Sequence, residues 1–323
     1  MENLRSCTLC PRLCGAGRLE GRRGFCGEGA EIRIASASIH RGEEPPLSGG
    51  GGSGTVFVSG CTLGCVFCQN YQISRSGMGR SVSQDELAGI FLALGEMGAE
   101  NINIVTGSHA VPALGEAIRA ARRAGLQIPV LWNSSAYENP DALFLLRDVV
   151  DVWLPDLKTL DTDLAARFFR APDYPEAAEK AILAMMDMQG GREYRGEILQ
   201  RGVIIRHLVL PGYLESTRKV LRWFADQAQG RALLSVMTQY TPSGGSGPER
   251  FVNTREYETV LNWLAEFGID DGFYQELVQD SAWLPDFNRA NPFSSELSVP
   301  VWHWRYGFVH DCHKEDAYVP AAL

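Results

Sequence analysis

The sequence predicts a parallel α/β fold, and three observations predict it. Short, nearly continuous apolar runs recur along the middle of the chain. Each is followed by an amphipathic segment with apolar residues three and four apart. A cluster of polar or glycine residues stands just after each run. Strands covered on both faces by crossover helices carry such runs. Six strand–helix units imply an open or partial barrel, or a doubly wound sheet. In either architecture, ligands sit at the carboxyl ends of the strands.

In chain order, strands are expected at Thr55–Ser59, Asn101–Val105, Ile128–Trp132, Asp151–Leu154, Val203–Val209 and Ala232–Met237. Helices are expected at Gln84–Met97, Val111–Ala124, Pro140–Arg147, Pro175–Met188, Ser216–Gln227 and Thr254–Phe267. Leu87, Ile90, Phe91 and Leu94 would share one helix face. Gly98 and Gly125 stand where helix C-caps belong. The polar clusters after the strands are Gly60–Cys68, Thr106–His109, Asn133–Ser135, Asp156–Lys158, Pro211–Gly212 and Thr238–Tyr240. All should face one end of the sheet.

The length of 323 residues allows one large domain with appendages, or two small ones. Composition divides it into a Cys-rich N-terminal module (1–50), a central barrel region (51–280) and an aromatic-rich C-terminal cover (281–323). A net charge of −9 argues against a general nucleic-acid binder. Arg18, Arg22 and Arg23 form a local basic run that reads as a solvated loop. No apolar run reaches the roughly 18 residues of a membrane span. The first residues lack the apolar stretch of a signal peptide. A cytoplasmic location follows as the expectation, with thiols kept reduced. Seven of the eight cysteines precede residue 69, and clustered thiols in such a compartment read as metal ligands.

Three of them, Cys61, Cys65 and Cys68, lie in "SGCTLGCVFCQNY" at C-x3-C-x2-C spacing. Three thiolates can hold three corners of a [4Fe–4S] cubane and leave the fourth iron open. Gly60 and Gly64 let the backbone turn closely, and Phe67 can shield the site. The other reading is zinc or unrelated buried thiols, but zinc sites favour paired C-x2-C units or histidines. Cys7, Cys10, Cys14 and Cys26, at C-x2-C-x3-C-x11-C, describe a closed second metal site. An auxiliary iron–sulfur cluster and a structural zinc both suit it, with free thiols as the alternative. His303, His310, Cys312 and His313 near the C-terminus invite a third metal site but read as a bland surface or packed tail, since no second paired motif accompanies them, and Trp302–Phe308 reads as cover for an apolar barrel edge.

The stretch "GSGTVFVSGCTLGCVFCQNYQIS" resembles the radical S-adenosylmethionine (SAM) superfamily, in particular the branch of the pyruvate formate-lyase activating enzyme. "CTLCPRLC…GFCG", "EEPPLSG", "NINIVTGSH", "DVWLPDLK" and "IIRHLVLPG" resemble an activating-enzyme-like iron–sulfur subgroup. The resemblance covers most of the chain. It implies a partial (β/α)6 TIM-like barrel with a Cys-rich N-terminal extension. It also implies an oxidoreductase in which SAM binds the open iron, the cluster donates an electron, and a 5′-deoxyadenosyl radical takes a hydrogen atom from a substrate. The substrate would be a glycine of a partner protein or a small molecule. The electron would come from a reducing donor such as flavodoxin or ferredoxin.

The resemblance places Thr106, Gly107 and Ser108 at the turn that contacts the SAM amino group. His109 replaces the family's Glu there, as a catalytic candidate or as a plain helix-start residue. Asn133, Ser134 and Ser135 suit ribose hydroxyls, or a helix N-cap. Asp156 and Lys158 match an Asp-x-Lys near SAM, with Lys158 a second catalytic candidate; a strand-end ion pair is the alternative. Arg206 would pair with the SAM carboxylate, and Leu208–Gly212 would line the adenine. Gln239 and Tyr240 read as packing residues. The rival from another class is a non-catalytic metal-binding scaffold with a degenerate SAM site, which the missing Glu favours.

Overall fold

The computed structural model describes residues 2–242, 247–281 and 283–309. Among them, twelve strands form one sheet. These are β1 (Ile32–His40), β2 (Ser53–Val58), β3 (Arg80–Val82), β4 (Asn101–Val105), β5 (Val130–Ser134), β6 (Val152–Pro155), β7 (Glu193–Arg195), β8 (Ile198–Leu208), β9 (Leu233–Met237), β10 (Gly272–Tyr274), β11 (Ser298–His303) and β12 (Gly307–Phe308). The order is β10-β9-β8-β6-β5-β4-β2-β1-β11-β12, with β3 on β1 and β7 on β8. From β2 to β10 every neighbour in that order is parallel. The end strands do not meet, so the barrel is partial and open.

Each expected strand is present, β5 displaced by two residues toward Ser134. The helices α3 (Gln84–Glu96), α4 (Val111–Arg123), α7 (Tyr174–Gln189), α8 (Leu214–Gln227) and α9 (Thr254–Glu266) follow the expected segments. They are preceded in chain order by the short α1 (Pro45–Ser48) and α2 (Tyr71–Ser74). The segment beginning at Pro140 is the four-residue α5 (Pro140–Leu143), continued as a 3-10 turn to Leu146. Ser83 caps α3 by accepting from the Glu86 amide, and Asn253 with Glu256 closes a capping box on α9.

Of the elements that the sequence pattern missed, three shape the frame around the site. β1 lies inside the sheet between β2 and β11, although residues 1–50 show little periodicity. It is almost wholly buried, and its Ala-Ser-Ala-Ser core alternates only between small residues of weak contrast. The N-terminal stretch therefore contributes a sheet strand as well as cysteines. α6 (Thr162–Phe169) fills the space between β6 and α7, capped by Asp161. β11 pairs antiparallel with β1 and buries Trp302 completely, so the aromatic run extends the sheet. His303 Nε2 donates to the Phe287 carbonyl at 3.1 Å. His310, Cys312 and His313 lie outside the described residues.

Candidate active site

A cavity of about 710 Å³ opens at the carboxyl ends of the parallel strands. Cys61, Cys65 and Cys68 line it together with Thr106, Asn133, Ser135, Asp156, Lys158 and Arg206. The topology thus brings together most of the residues singled out above. Ser134, Leu208 and Gln239 join them.

The cysteine loop follows β2 and turns through left-handed backbone at Gly60 (φ +83°) and Gly64 (φ +69°). A Cβ on Gly60 would lie 2.8 Å from the Cys26 carbonyl, so the residue also lets the N-terminal segment close on the loop. Two sulfurs already accept hydrogen bonds. The Leu63 amide donates to Cys61 Sγ at 3.4 Å, and the Ser74 hydroxyl to Cys68 Sγ at 3.4 Å. Burial, then neighbouring cysteine charge, raises the Cys68 thiol; burial likewise raises Cys65, opposed by the Lys158 ammonium. Metal coordination is the ordinary way to hold such buried sulfurs deprotonated. Three thiols on one turn, with donors to sulfur and a nearby cation, fit a three-cysteine cluster. Phe67 closes the loop from behind against Phe168, Phe169 and Tyr240.

Lys158 donates to Asp156 Oδ2 at 2.7 Å. Burial alone would lower the Lys158 ammonium, but the Asp156 carboxylate outweighs it and keeps the lysine charged. The Lys158 amide donates to the Tyr174 hydroxyl, which in turn donates to the carbonyls of Ser135 or Asp156. This fixes the turn after β6 at the cavity wall.

Arg206 reaches the cavity but is engaged elsewhere than expected. Its Nε donates to Glu44 Oε1 at 2.8 Å and an amino nitrogen to Glu44 Oε2 at 2.5 Å. The same nitrogen also contacts Glu43. Both acids come from the loop between β1 and α1. Burial raises the Glu44 carboxyl, yet the Arg206 guanidinium overrides this and holds it ionised. A guanidinium inside a barrel needs buried carboxylates, and the sequence supplies them 162 residues away.

The turn after β4 splits. Thr106 lines the cavity in left-handed backbone (φ +65°), whereas Gly107, Ser108 and His109 do not line it. A Cβ on Gly107 would sit 2.5 Å from the Trp132 ring, so this glycine serves packing. His109 is buried; burial and the Arg18 guanidinium push its pKa down to about 3. Among the described residues its Nδ1 has no hydrogen-bond partner. Its carbonyl accepts from Arg18 at 2.5 Å. The structure therefore places His109 under the N-terminal module rather than at the cavity. Ser134 and the Trp132 indole both donate to the buried Glu138, at 2.5 and 2.8 Å, a carboxylate the sequence reading passed over. Pro211 and Gly212 also lie away from the cavity, with the Gly212 amide donating to Glu256.

Cys7, Cys10, Cys14 and Cys26 gather beside the cysteine loop. Burial raises the Cys10 thiol to about 12, with added repulsion from Cys26, Cys7 and Cys14. Among the described residues, no three His, Cys, Asp or Glu side chains form a ready site for one metal ion. A cubane spreads its thiolates farther apart than a single ion does, so this bears on zinc more than on a cluster. Arg12 links the module to the active-site loop by donating to the carbonyls of Thr62, Leu63, Phe169 and Arg170.

A family model described as the radical SAM superfamily matches residues 55–224, more than half the chain. An uncharacterized protein of Methanocaldococcus jannaschii, MJ0674, is 28% identical over 82% of this chain and 76% of its own. Among solved structures, Streptococcus suis SuiB bound to S-adenosylmethionine is 13% identical, with a TM-score of 0.51 over 69% of this chain and 49% of SuiB. A radical SAM methyltransferase from Sphaerobacter thermophilus is 15% identical, with a TM-score of 0.50 over 69% and 66%. At these identities the likeness concerns the fold alone. The chain spans about half the length of the SuiB chains it matches.

Proposed function

The chain belongs to the radical SAM superfamily, and from that premise we propose that it cleaves SAM reductively and abstracts a hydrogen atom from a substrate. The observation that carries this reading is the placement of Cys61, Cys65 and Cys68 on one turn at the mouth of the cavity, beside Asp156 and Lys158. With a [4Fe–4S] cluster and SAM bound, the chemistry supplied is one-electron cleavage of the sulfonium, giving a 5′-deoxyadenosyl radical that removes hydrogen.

The protein's own contribution is placement. Cys61, Cys65 and Cys68 would hold the cluster. Lys158 supplies a point charge for an anionic group, and Asp156 keeps it protonated and oriented. Asn133 and Ser135 present an amide and a hydroxyl to sugar oxygens, while Ser134 is tied to Glu138. Arg206 orients Glu43 and Glu44 instead of meeting SAM directly. The aromatic wall of Phe57, Phe67 and Phe293 keeps water from a reactive intermediate. The electron donor is a flavodoxin- or ferredoxin-type protein, and the location cytoplasmic. Among the described residues no helix is long and apolar enough to cross a membrane. The hydrogen donor is a small molecule or a glycine of a partner protein.

The test is anaerobic reconstitution with iron and sulfide, reduction with dithionite, and assay of 5′-deoxyadenosine and methionine from SAM. Formation of both supports the reading. A correctly loaded cluster with no SAM cleavage would assign the chain to the metal-binding scaffolds instead.

A further inference from the structure

We propose that Glu138 is a positioning residue for SAM, holding through Trp132 and Ser134 the two strand-end turns that present Thr106, Asn133 and Ser135 to the cavity. This deepens the reading above and rests on it for the identity of the ligand. The first observation is strain. Thr106, just after β4, and Ala136, just after β5, both stand in left-handed backbone, at φ +65° and +57°. Neither is glycine, and Thr106 is β-branched, so each is held against its local preference. β4 and β5 are parallel neighbours, and the Thr106 amide donates to the Asn133 carbonyl at 2.9 Å. The two turns are therefore joined. Such strain persists only where the surroundings over-determine it.

The second observation is what over-determines it. Glu138 accepts from Trp132 Nε1 at 2.8 Å on one oxygen and from the Ser134 hydroxyl at 2.5 Å on the other. The Ser134 oxygen in turn accepts from the Ala136 amide at 3.2 Å, and the Glu138 amide donates to the Ala136 carbonyl at 2.9 Å. Ala136 is thus clamped on both sides. The Trp132 ring supports the other turn. A Cβ on Gly107 would lie 2.5 Å from that ring, so the backbone next to Thr106 rests on the indole. One carboxyl reaches both turns.

The third observation is the cost of the carboxyl. Glu138 is 2% exposed and does not line the cavity. Among the described residues no cation pairs with it, and burial raises its pKa against the two donors. An unpaired carboxyl in the interior is costly, and a plain core position would take an apolar side chain. What a carboxyl offers here is two acceptor oxygens, one for each donor; a Gln has only one. Trp132 and Ser134 stand two apart on β5 and so share a face. Holding both fixes the strand end on which Asn133 lies between them.

SAM is titrated calorimetrically into the anaerobically reconstituted parent and variant proteins, with urea unfolding measured alongside. Glu138→Gln keeps the shape but turns an amide NH2 toward one of the two donors. It should weaken SAM binding by about three- to thirtyfold. Asn133→Ala should weaken binding by about three- to tenfold in the parent, yet by less than about twofold in the Glu138→Gln protein, because the side chain it removes is already misplaced. A role in stability alone would move the urea midpoint and leave that coupling at zero. Trp132→Phe removes the indole donor and part of the ring against Gly107. It should show the same coupling to Asn133→Ala, and it keeps the test open if Glu138→Gln fails to fold. Parent-like affinity in the folded variants, or an Asn133→Ala loss of equal size in each background, would overturn the proposal. Either result in a protein whose parent binds SAM defeats this inference alone. Failure of the cluster-loaded parent to bind SAM defeats the reading of the site, and this inference with it.

Discussion

The backbone amide of Cys61 donates to the carbonyl of Cys26 at 3.3 Å. One hydrogen bond thus joins the two cysteine sets, and Arg12 reinforces it by donating to two carbonyls within the loop, Thr62 and Leu63, and two at the end of α6, Phe169 and Arg170. The N-terminal module is part of the frame that shapes the active-site turn.

Arg12→Ala should loosen that frame. Lost hydrogen bonds to partly buried carbonyls cost about 1–3 kcal/mol. Urea unfolding should shift by that amount, and a chelator should strip the reconstituted cluster faster. Unchanged chelation kinetics would separate the module from the loop.

Replacing Cys61, Cys65 and Cys68 together by Ala should remove one cluster's worth of iron and sulfide. 5′-Deoxyadenosine formation should vanish while helical circular dichroism persists, because the core is built from the strand–helix units. A triple variant that still cleaves SAM would overturn the assignment of the loop.

Replacing Cys7, Cys10, Cys14 and Cys26 should remove a second, separate complement of metal. Metal analysis of the purified protein decides between iron with sulfide and zinc. Metal content equal to the parent's would leave the four as free thiols.

Lys158→Ala should weaken SAM binding by about 1.5–3 kcal/mol, or ten- to hundredfold, through loss of a partly desolvated charged contact. Arg206→Met should act on stability instead, by about 3–5 kcal/mol, because it strands Glu43 and Glu44. Adding Glu44→Gln to Arg206→Met should restore part of that loss. Calorimetric SAM titrations and urea unfolding distinguish the two residues.

Acid should destabilise the fold through His207. Its Nδ1 meets the Leu157 carbonyl and its Nε2 the Thr217 hydroxyl, with Asp156 and Lys158 nearby. Burial lowers its pKa to about 4. The unfolded chain therefore takes up the proton first, near pH 6.5. Stability is full above that value and falls as pH drops toward about 4, with no further contribution below. Urea midpoints at pH 7 and pH 5 measure the loss, and His207→Gln should reduce it. An equal loss in the variant would assign the effect to other groups.

Much of the site was legible because its residues announce a period or a spacing. β2, β4, β6, β8 and β9 are apolar runs, and the polar residues after them fall at one end by topology alone. β1 was hidden because small alternating Ala and Ser residues are buried on both faces and carry little contrast. Glu43 and Glu44 were hidden because acids beside prolines read as a solvated loop. The available signal was Arg206 itself, a cation inside an apolar strand that had to find buried acids. Of the two readings of His109, its buried place just before α4 and away from the cavity suits the plain helix-start residue, since position in a motif says nothing about which way a side chain turns.

The contacts of Arg12 with Phe169 and Arg170 also set an order of assembly. The second carbonyl lies 158 residues further along the chain. At about 5–20 residues per second, a ribosome needs roughly ten to thirty seconds to make that stretch. For that interval the first four thiols have left the ribosome but lack their docking surface. Any metal that these four thiols take up would therefore meet its full frame only after the carboxyl-terminal half of the barrel has folded around them.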